Sequence, residues 1–312
     1  MEKTPLRDAL HAAFYQYREV EPDSHIYVLL DPNHPVAPYH PLQPEQLAKR
    51  EAPRATEIVL RPDLAHEPQV CPRLVQLYRA GEHGYVDEAL VDLTIECAEQ
   101  RCASVNGAYV SAWIVSPAEP SRLAKHLASA GVVFDLGKGK QRYVPLFEPA
   151  RTALVIANMP PAPQRSWLSP AKHWLYVDAA GMLQILDTPA ETLWQPLRLA
   201  PEHFAAMSRL DQARFVLMAL VNSGAVPELQ PEMAIDHAVK NAHEQGLRHA
   251  EDVVFFALNH FTLGERWCSH PAARNAIGQA ASGALRLTAA MQALPDNVLD
   301  SIAEHARGGS RH

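Results

Sequence analysis

The chain has 312 residues, of which 47% are hydrophobic and 20% charged, enough to bury a sizeable core and to form a folded globular protein rather than a disordered one. Its 28 basic and 35 acidic residues leave a net charge of -7, and no stripe of Lys and Arg stands out, which argues against unaided nucleic-acid binding. The start, MEKTPLRDAL, is charged, and the longest apolar run, Phe215 to Val221, falls far short of the roughly 20 residues a bilayer requires, so a soluble, cytoplasmic chain without membrane insertion is expected.

In chain order, apolar runs predict strands at His25 to Leu30, Thr56 to Leu60, Val105 to Val115, Val132 to Leu136, Tyr143 to Phe147, Trp174 to Val177 and Met182 to Leu186. Six prolines, at 32, 35, 38, 41, 44 and 53, remove backbone donors across residues 31 to 54 and predict a long exposed excursion there. Residues 84 to 102 predict a helix, because Val86, Leu90, Leu93 and Cys97 recur at helical spacing while Glu88, Asp92, Glu96 and Glu99 take another face. Ser121 is expected to cap a second helix that runs to Ala130 and stops at Gly131. The segment GKGK at 137 to 140 reads as a turn between strands. A proline-rich connection at 158 to 170 separates a helix after Pro149 from the hairpin WLYVDAAGMLQIL, which turns at Gly181.

After residue 200 the strand pattern ends. Helices are predicted near 201 to 223, 231 to 245, 249 to 264, 272 to 293 and 296 to 306, broken at Gly224, Pro227, Gly246, Gly264, Pro271 and Pro295. The expected class is α+β: a mixed α/β lobe over 1 to 190, an all-helical lobe over 191 to 306, and a disordered tail, RGGSRH, over 307 to 312.

Chemistry-bearing motifs are few. GKGKQR lacks the spacing of a phosphate loop, no G-x-G-x-x-G follows a strand, and NSG at 222 to 224 sits at a helix end rather than in a nucleophile elbow. His237, His243 and His249 are six residues apart, which spreads them around a helix instead of stacking two on one face. Cys71, Cys97, Cys102 and Cys268 fit neither a disulfide framework nor C-x-x-C, and reduced, buried thiols are expected. The spacings therefore give no metal site and no cofactor motif.

Two acid-proline junctions draw attention. Asp31 and Pro32 end the strand YVLL, and Glu148 and Pro149, followed by Arg151, end YVPLF. An acid there accepts turn amides while proline stops the ladder, so the bland expectation is structural. As a pair, the two carboxylates would serve acid/base chemistry in a hydrolase or transferase. The acidic face of Glu88, Asp92 and Glu96 reads either as solvated or as a receiver for a basic partner. Phe255, Phe256, Phe261 and Trp267 give the helical lobe aromatic area that fits a core or an interface.

A series of segments carries a resemblance. YVLLDP at 27 to 32, CPRLVQL at 71 to 77, AWIVS at 112 to 116, LAKHLAS, YVPLFEPAR and the Trp-containing hairpin occur in an order similar to the type VI secretion effector-chaperone family, the Tap or TEC adaptors. The similarity covers residues 24 to 190, and AEDVVFFALNHFTLGERW resembles the family's carboxy-terminal region. The chain departs from the family pattern at Ala150, which moves Arg151 one residue from the family's Asp-Pro-Arg, and at Cys71, where serine is common. The resemblance implies a non-enzymatic adaptor that holds the amino-terminal part of a cognate toxic effector and brings it to the VgrG spike. An immunity-type inhibitor, which would bind the toxic domain instead, is a third reading.

Overall fold

The computed structural model describes residues 5–84, 86–101, 104, 106–157, 159, 166–188, 193–227 and 230–308. The class is α+β, and the chain divides into two compact units, residues 1–205 and 206–312. The division falls later than residue 190 because a short strand at Arg198–Leu199 pairs back into the first unit.

The first unit is built on a six-stranded sheet in the order β2-β3-β1-β4-β7-β8, every neighbouring pair antiparallel. β1 (His25–Leu30) and β4 (Val110–Ser116) lie at its centre and are buried along their whole length. Their predominantly apolar sequences are what two covered faces require. Ile26, Val28 and Leu30 alternate onto one face, where they pack with Leu10 and Phe14 of α1 (Leu6–Val20) and Leu90 and Val91 of α3 (Glu88–Arg101). Trp113 of β4 joins this core and donates its indole N–H to Thr94 Oγ1 of α3 at 2.9 Å. Tyr27 points to the other face, and its hydroxyl donates to Ala118 O at 2.7 Å, just ahead of α4 (Pro120–Ala130).

The remaining sheet strands are β2 (Thr56–Ile58), β3 (Arg73–Tyr78), β7 (His173–Val177) and β8 (Leu183–Asp187). β5 (Val132–Asp135) and β6 (Lys140–Tyr143) form a smaller sheet with β9 (Arg198–Leu199), which runs parallel to β5. The GKGK turn joins β5 to β6, and Gly139 supplies its φ of +62°. The hairpin β7–β8 turns at Gly181, as its sequence predicts.

Several expectations are corrected. The proline-rich excursion is largely exposed, as expected, but it is anchored: Val36, Leu42 and Leu47, set between the prolines, belong to the main core, and Tyr109 Oη donates to Leu42 O at 2.7 Å. A short helix, α2 (Pro44–Leu47), lies within it. The strand expected over 143 to 147 ends at Tyr143, and the chain turns before α5 (Pro149–Ala157). The strand expected from Val105 begins at Val110, with Val105 itself outside the described residues. Ser121 lies inside the first turn of α4 and is not its cap; Pro120 opens the helix after Glu119. Cys71 and Cys97 are buried and Cys268 is half-buried, none of them in a disulfide among the described residues, and Cys102 lies outside those residues.

The second unit is helical. Its elements are the end of α6 (Pro201–Ser208), then α7 (Leu210–Ser223), α8 (Pro231–Glu244), α9 (Ala250–Thr262), α10 (Pro271–Ala281), α11 (Leu287–Gln292) and α12 (Asp296–Arg307), with a 3-10 turn at Glu265–Ser269. The helix expected over 272 to 293 is two. Gly283, at φ +76°, breaks it, and Asp252 of α9 restarts it by accepting Leu287 N–H at 2.8 Å. The expected tail is partly helix, since Arg307 ends α12; residues 309–312 lie outside the described residues. No helix among the described residues is long and apolar enough to cross a membrane.

Candidate functional site

The turn after β1 holds Asp31 by its backbone and its carboxylate. Asp31 N–H donates to Tyr109 O at 2.7 Å, Asp31 O accepts from His34 N at 3.0 Å, and Oδ1 accepts from Asn33 N at 3.1 Å. These bonds make the Asp31-Pro32 junction a side-chain-capped turn, the role its sequence suggests. The second oxygen, Oδ2, lies 3.7 Å from His34 Nε2.

The second junction is the entry to α5. Glu148 O accepts from Thr152 N at 2.9 Å, and Pro149 takes the first helical position, where a missing N–H costs nothing. Arg151, one turn along, brings its Nε to 3.4 Å from Glu148 Oε2. Asp31 and Glu148 are 1% and 2% exposed. The charges of Glu148, Arg61 and Arg151 all act on Asp31.

Arg61 completes the cluster. Only 5% exposed, it donates through Nε and Nη2 to Asp63 at 3.1 and 2.7 Å, and its guanidinium lies 5.0 Å from the ring centre of Tyr143 and 5.9 Å from that of Phe147. Burial pushes the Asp31 carboxyl up to about 7; Glu148 adds to the rise, while the Asn33 N–H, Arg61 and Arg151 oppose it. Burial likewise raises Tyr143. Asp31 Oδ2, Arg61 Nη1 and Tyr143 Oη are buried without a hydrogen bond among the described residues. Chemically, a buried carboxyl raised to about 7 feels the charges of two arginines, Arg61 buried and Arg151 partly exposed.

Arg61, Tyr143 and His34 are members that sequence reasoning missed. Arg61 follows the β2 segment and pairs two residues on with Asp63 in RPD, a local signal. Its approach to Tyr143 is long-range and leaves no local trace. The ring of His34 packs on Gly107, where an added Cβ would lie 2.8 Å away, so that glycine at φ +77° is required by contact as well as by conformation.

The acidic face of α3 meets a basic partner within the chain itself. Arg7, His11 and Tyr15 recur every four residues on α1, and Arg7 Nε donates to Asp92 Oδ1 at 2.8 Å while His11 Nε2 lies 2.9 Å from the same oxygen. A second Arg7 nitrogen reaches Asp92 Oδ2, and Tyr15 Oη donates to Glu88. Glu96 accepts from Gln100 Nε2 at 3.1 Å within its own helix. Glu88 and Asp92 are thereby engaged with α1, while Glu88 and Glu96 stay exposed.

In the helical unit, Phe256 and Trp267 are 1% and 0% exposed and pack with ring centroids 5.2 Å apart; they are core, not interface. Phe261 is half-buried beside His260. The three spaced histidines separate: His237 faces His260, His243 bonds Gln212 Oε1 at 2.8 Å, and His249 sits at the start of α9. Among the described residues no group of three or more His, Cys, Asp or Glu is arranged to hold a metal ion. The apolar side chains this unit leaves exposed include Phe215, Met218 and Val221, which follow one another along α7.

Compared with family models, curated proteins and solved structures, the chain matches none.

Proposed function

We propose that this chain is a non-enzymatic adaptor that binds the amino-terminal region of a cognate type VI secretion effector and helps load it onto the VgrG spike. The observation that supports this reading is the burial of both acid-proline carboxylates: at 1% and 2% exposure, Asp31 and Glu148 serve turn amides, a helix entry and neighbouring arginines rather than facing a substrate. The apolar side chains of Phe215, Met218 and Val221, exposed by 49%, 39% and 43%, give the helical unit surface suited to a protein partner.

A second reading, a hydrolase or transferase using Asp31 and Glu148, draws on the charge of Glu148 acting on Asp31 and on the carboxyl of Asp31 raised to about 7, where a general acid or base works well. One experiment separates the two. Tagged protein is recovered from extracts of its native cells, with Asp31→Asn and Glu148→Gln variants in parallel, and bound proteins are identified by mass spectrometry. The adaptor reading expects a VgrG spike protein and one large effector in all three samples. It is overturned if neither is recovered and a substrate-dependent activity is lost in both variants. Recovery with only the toxic domain of an effector would assign an immunity-type inhibitor instead.

A further inference from the structure

Among the described residues the six-stranded sheet ends on β8, and no strand pairs with its outer side. The direction of its free backbone groups follows from its pairing with β7. Thr188 N–H donates to Lys172 O at 2.7 Å and Asp178 N–H donates to Met182 O at 3.0 Å, which makes these two the hydrogen-bonded pairs that bracket the ladder. With a period of two, Gln184 and Leu186 then direct their N–H and C=O groups into the sheet, whereas Leu183, Ile185 and Asp187 direct theirs out from the edge.

Natural sheets blunt an open edge with charged side chains, lysine above all, with proline, a bulge or a very short strand. The opposite edge does so: β2 has 3 residues and lies between Pro53 and Pro62. β8 has 5 residues, carries neither Pro nor Lys, and keeps an unbroken register with β7. Its central side chain, Ile185, is 43% exposed, and its one charge, Asp187, is already paired to His173 Nδ1 at 2.7 Å.

We propose that β8 pairs antiparallel with β8 of a second copy of this chain, about a twofold axis through Ile185. The edge can pair with itself because its outward backbone positions are symmetric about Ile185, the exposed apolar residue. Rotation sets Ile185 opposite Ile185 of the other copy and Leu183 opposite Asp187 of the other copy, and each outward residue exchanges both of its N–H···O=C bonds with its opposite. The two exposed Ile185 side chains cover each other. The Asp187 carboxylates fall at opposite ends of the seam, so no like charges face. A foreign strand would gain the same backbone bonds, but a second copy also sets exposed Ile185 against Ile185. A seam this short buries less than the ~1,200 Å² of a standard stable interface, so the dimer is reversible and depends on concentration.

Sedimentation of the full chain over a hundredfold range of concentration tests this. The mass is expected to rise from monomer toward dimer, and Ile185→Pro is expected to remain monomeric at every concentration with an unchanged far-UV spectrum, because the N–H it removes makes no bond within the sheet. A mass that stays monomeric throughout overturns the proposal, as does a dimer that Ile185→Pro leaves intact. Register is read by cross-linking in a Cys268→Ser background. Opposed residues of a hydrogen-bonded pair have Cα atoms about 5.5 Å apart, within disulfide range. Mild oxidation should therefore join Ile185→Cys to itself and a mixture of Leu183→Cys with Asp187→Cys to each other. Linkage of Leu183→Cys to itself, or none at Ile185→Cys, overturns the twofold register even if the proline variant fails to fold.

Discussion

Tyr17 stacks on His173 with ring centroids 3.9 Å apart and planes 17° from parallel, fastening the last turns of α1 to the first residue of β7. Glu21, just past the helix, lies 3.0 Å from His173 Nε2 and takes Lys172 Nζ at 3.0 Å on its other oxygen. Burial alone would raise the Glu21 carboxyl, but the hydrogen bonds from Lys172 and His173 outweigh it and hold the group below its ordinary value. A carboxyl depressed in the folded state adds stability above its unfolded value and loses it as pH falls through the folded one. Glu21→Gln should therefore cost on the order of 1 kcal/mol at pH 7, and the gap from the parent should close as pH drops below about 4. Thermal unfolding of both proteins across that range measures it; a gap independent of pH would refute the assignment.

Asp31 carries the opposite sign. Its carboxyl is raised to about 7, so the folded chain holds a proton that the unfolded chain releases near pH 4, and stability declines as pH rises between the two values. Asp31→Asn keeps an acceptor for Asn33 N–H and removes the charge. The variant should gain on the parent from pH 4 to pH 7 and hold a constant advantage above it, at most about 4 kcal/mol for a shift of about three units. Denaturant titrations at pH 4.5, 6 and 8 follow the trend, and a variant less stable than the parent at pH 8 would show that the negative charge, not the protonated acid, is what the arginines require.

The pairing of α1 with the acidic face of α3 makes a modest claim on stability. Arg7 holds Asp92 below its ordinary value, chiefly through their hydrogen bond, but Arg7 lies at the surface where solvent screens the pair. Asp92→Asn is expected to cost no more than about 1 kcal/mol, and less in high salt. In the recovery experiment the same variant should retain both partners, since Glu88 and Asp92 already face α1. Loss of a partner with thermal stability intact would return that face to the list of docking surfaces.

Much of this architecture is legible in local sequence, and the parts that are not share a cause. β1, the β7–β8 hairpin and the GKGK turn follow from apolar runs bounded by glycine or proline, signals contained within a few residues. α1 carries its own pattern in Leu6, Leu10, Ala13 and Phe14. The break at Gly283 is different: glycine permits it, but the restart at Leu287 depends on Asp252, a cap supplied from another helix. The anchoring of the proline-rich segment likewise depends on a tyrosine hydroxyl 67 residues away. The acid-proline junctions are visible as turns, whereas the charges of Arg61 and Glu148 come to act on Asp31 only when separate elements pack. The acidic stripe was visible as a row of charges, but the row that answers it lies on a helix packed beside it.

Trp267 tests whether the aromatic residues of the helical unit are core. Its side chain is fully buried against Phe256, and its indole N–H has no hydrogen-bond partner among the described residues. Trp267→Ala leaves a cavity and loses the buried ring, an expected cost of about 3–5 kcal/mol. Trp267→Phe loses volume but no hydrogen bond, so it should cost well under half as much. Phe261→Ala, at a half-buried ring, should fall nearer the smaller figure. Denaturant unfolding orders the three variants. If Trp267→Ala instead left stability unchanged and weakened effector recovery, the tryptophan would be an anchor that opens to a partner, and the packing around Phe256 would be the closed form of an interface.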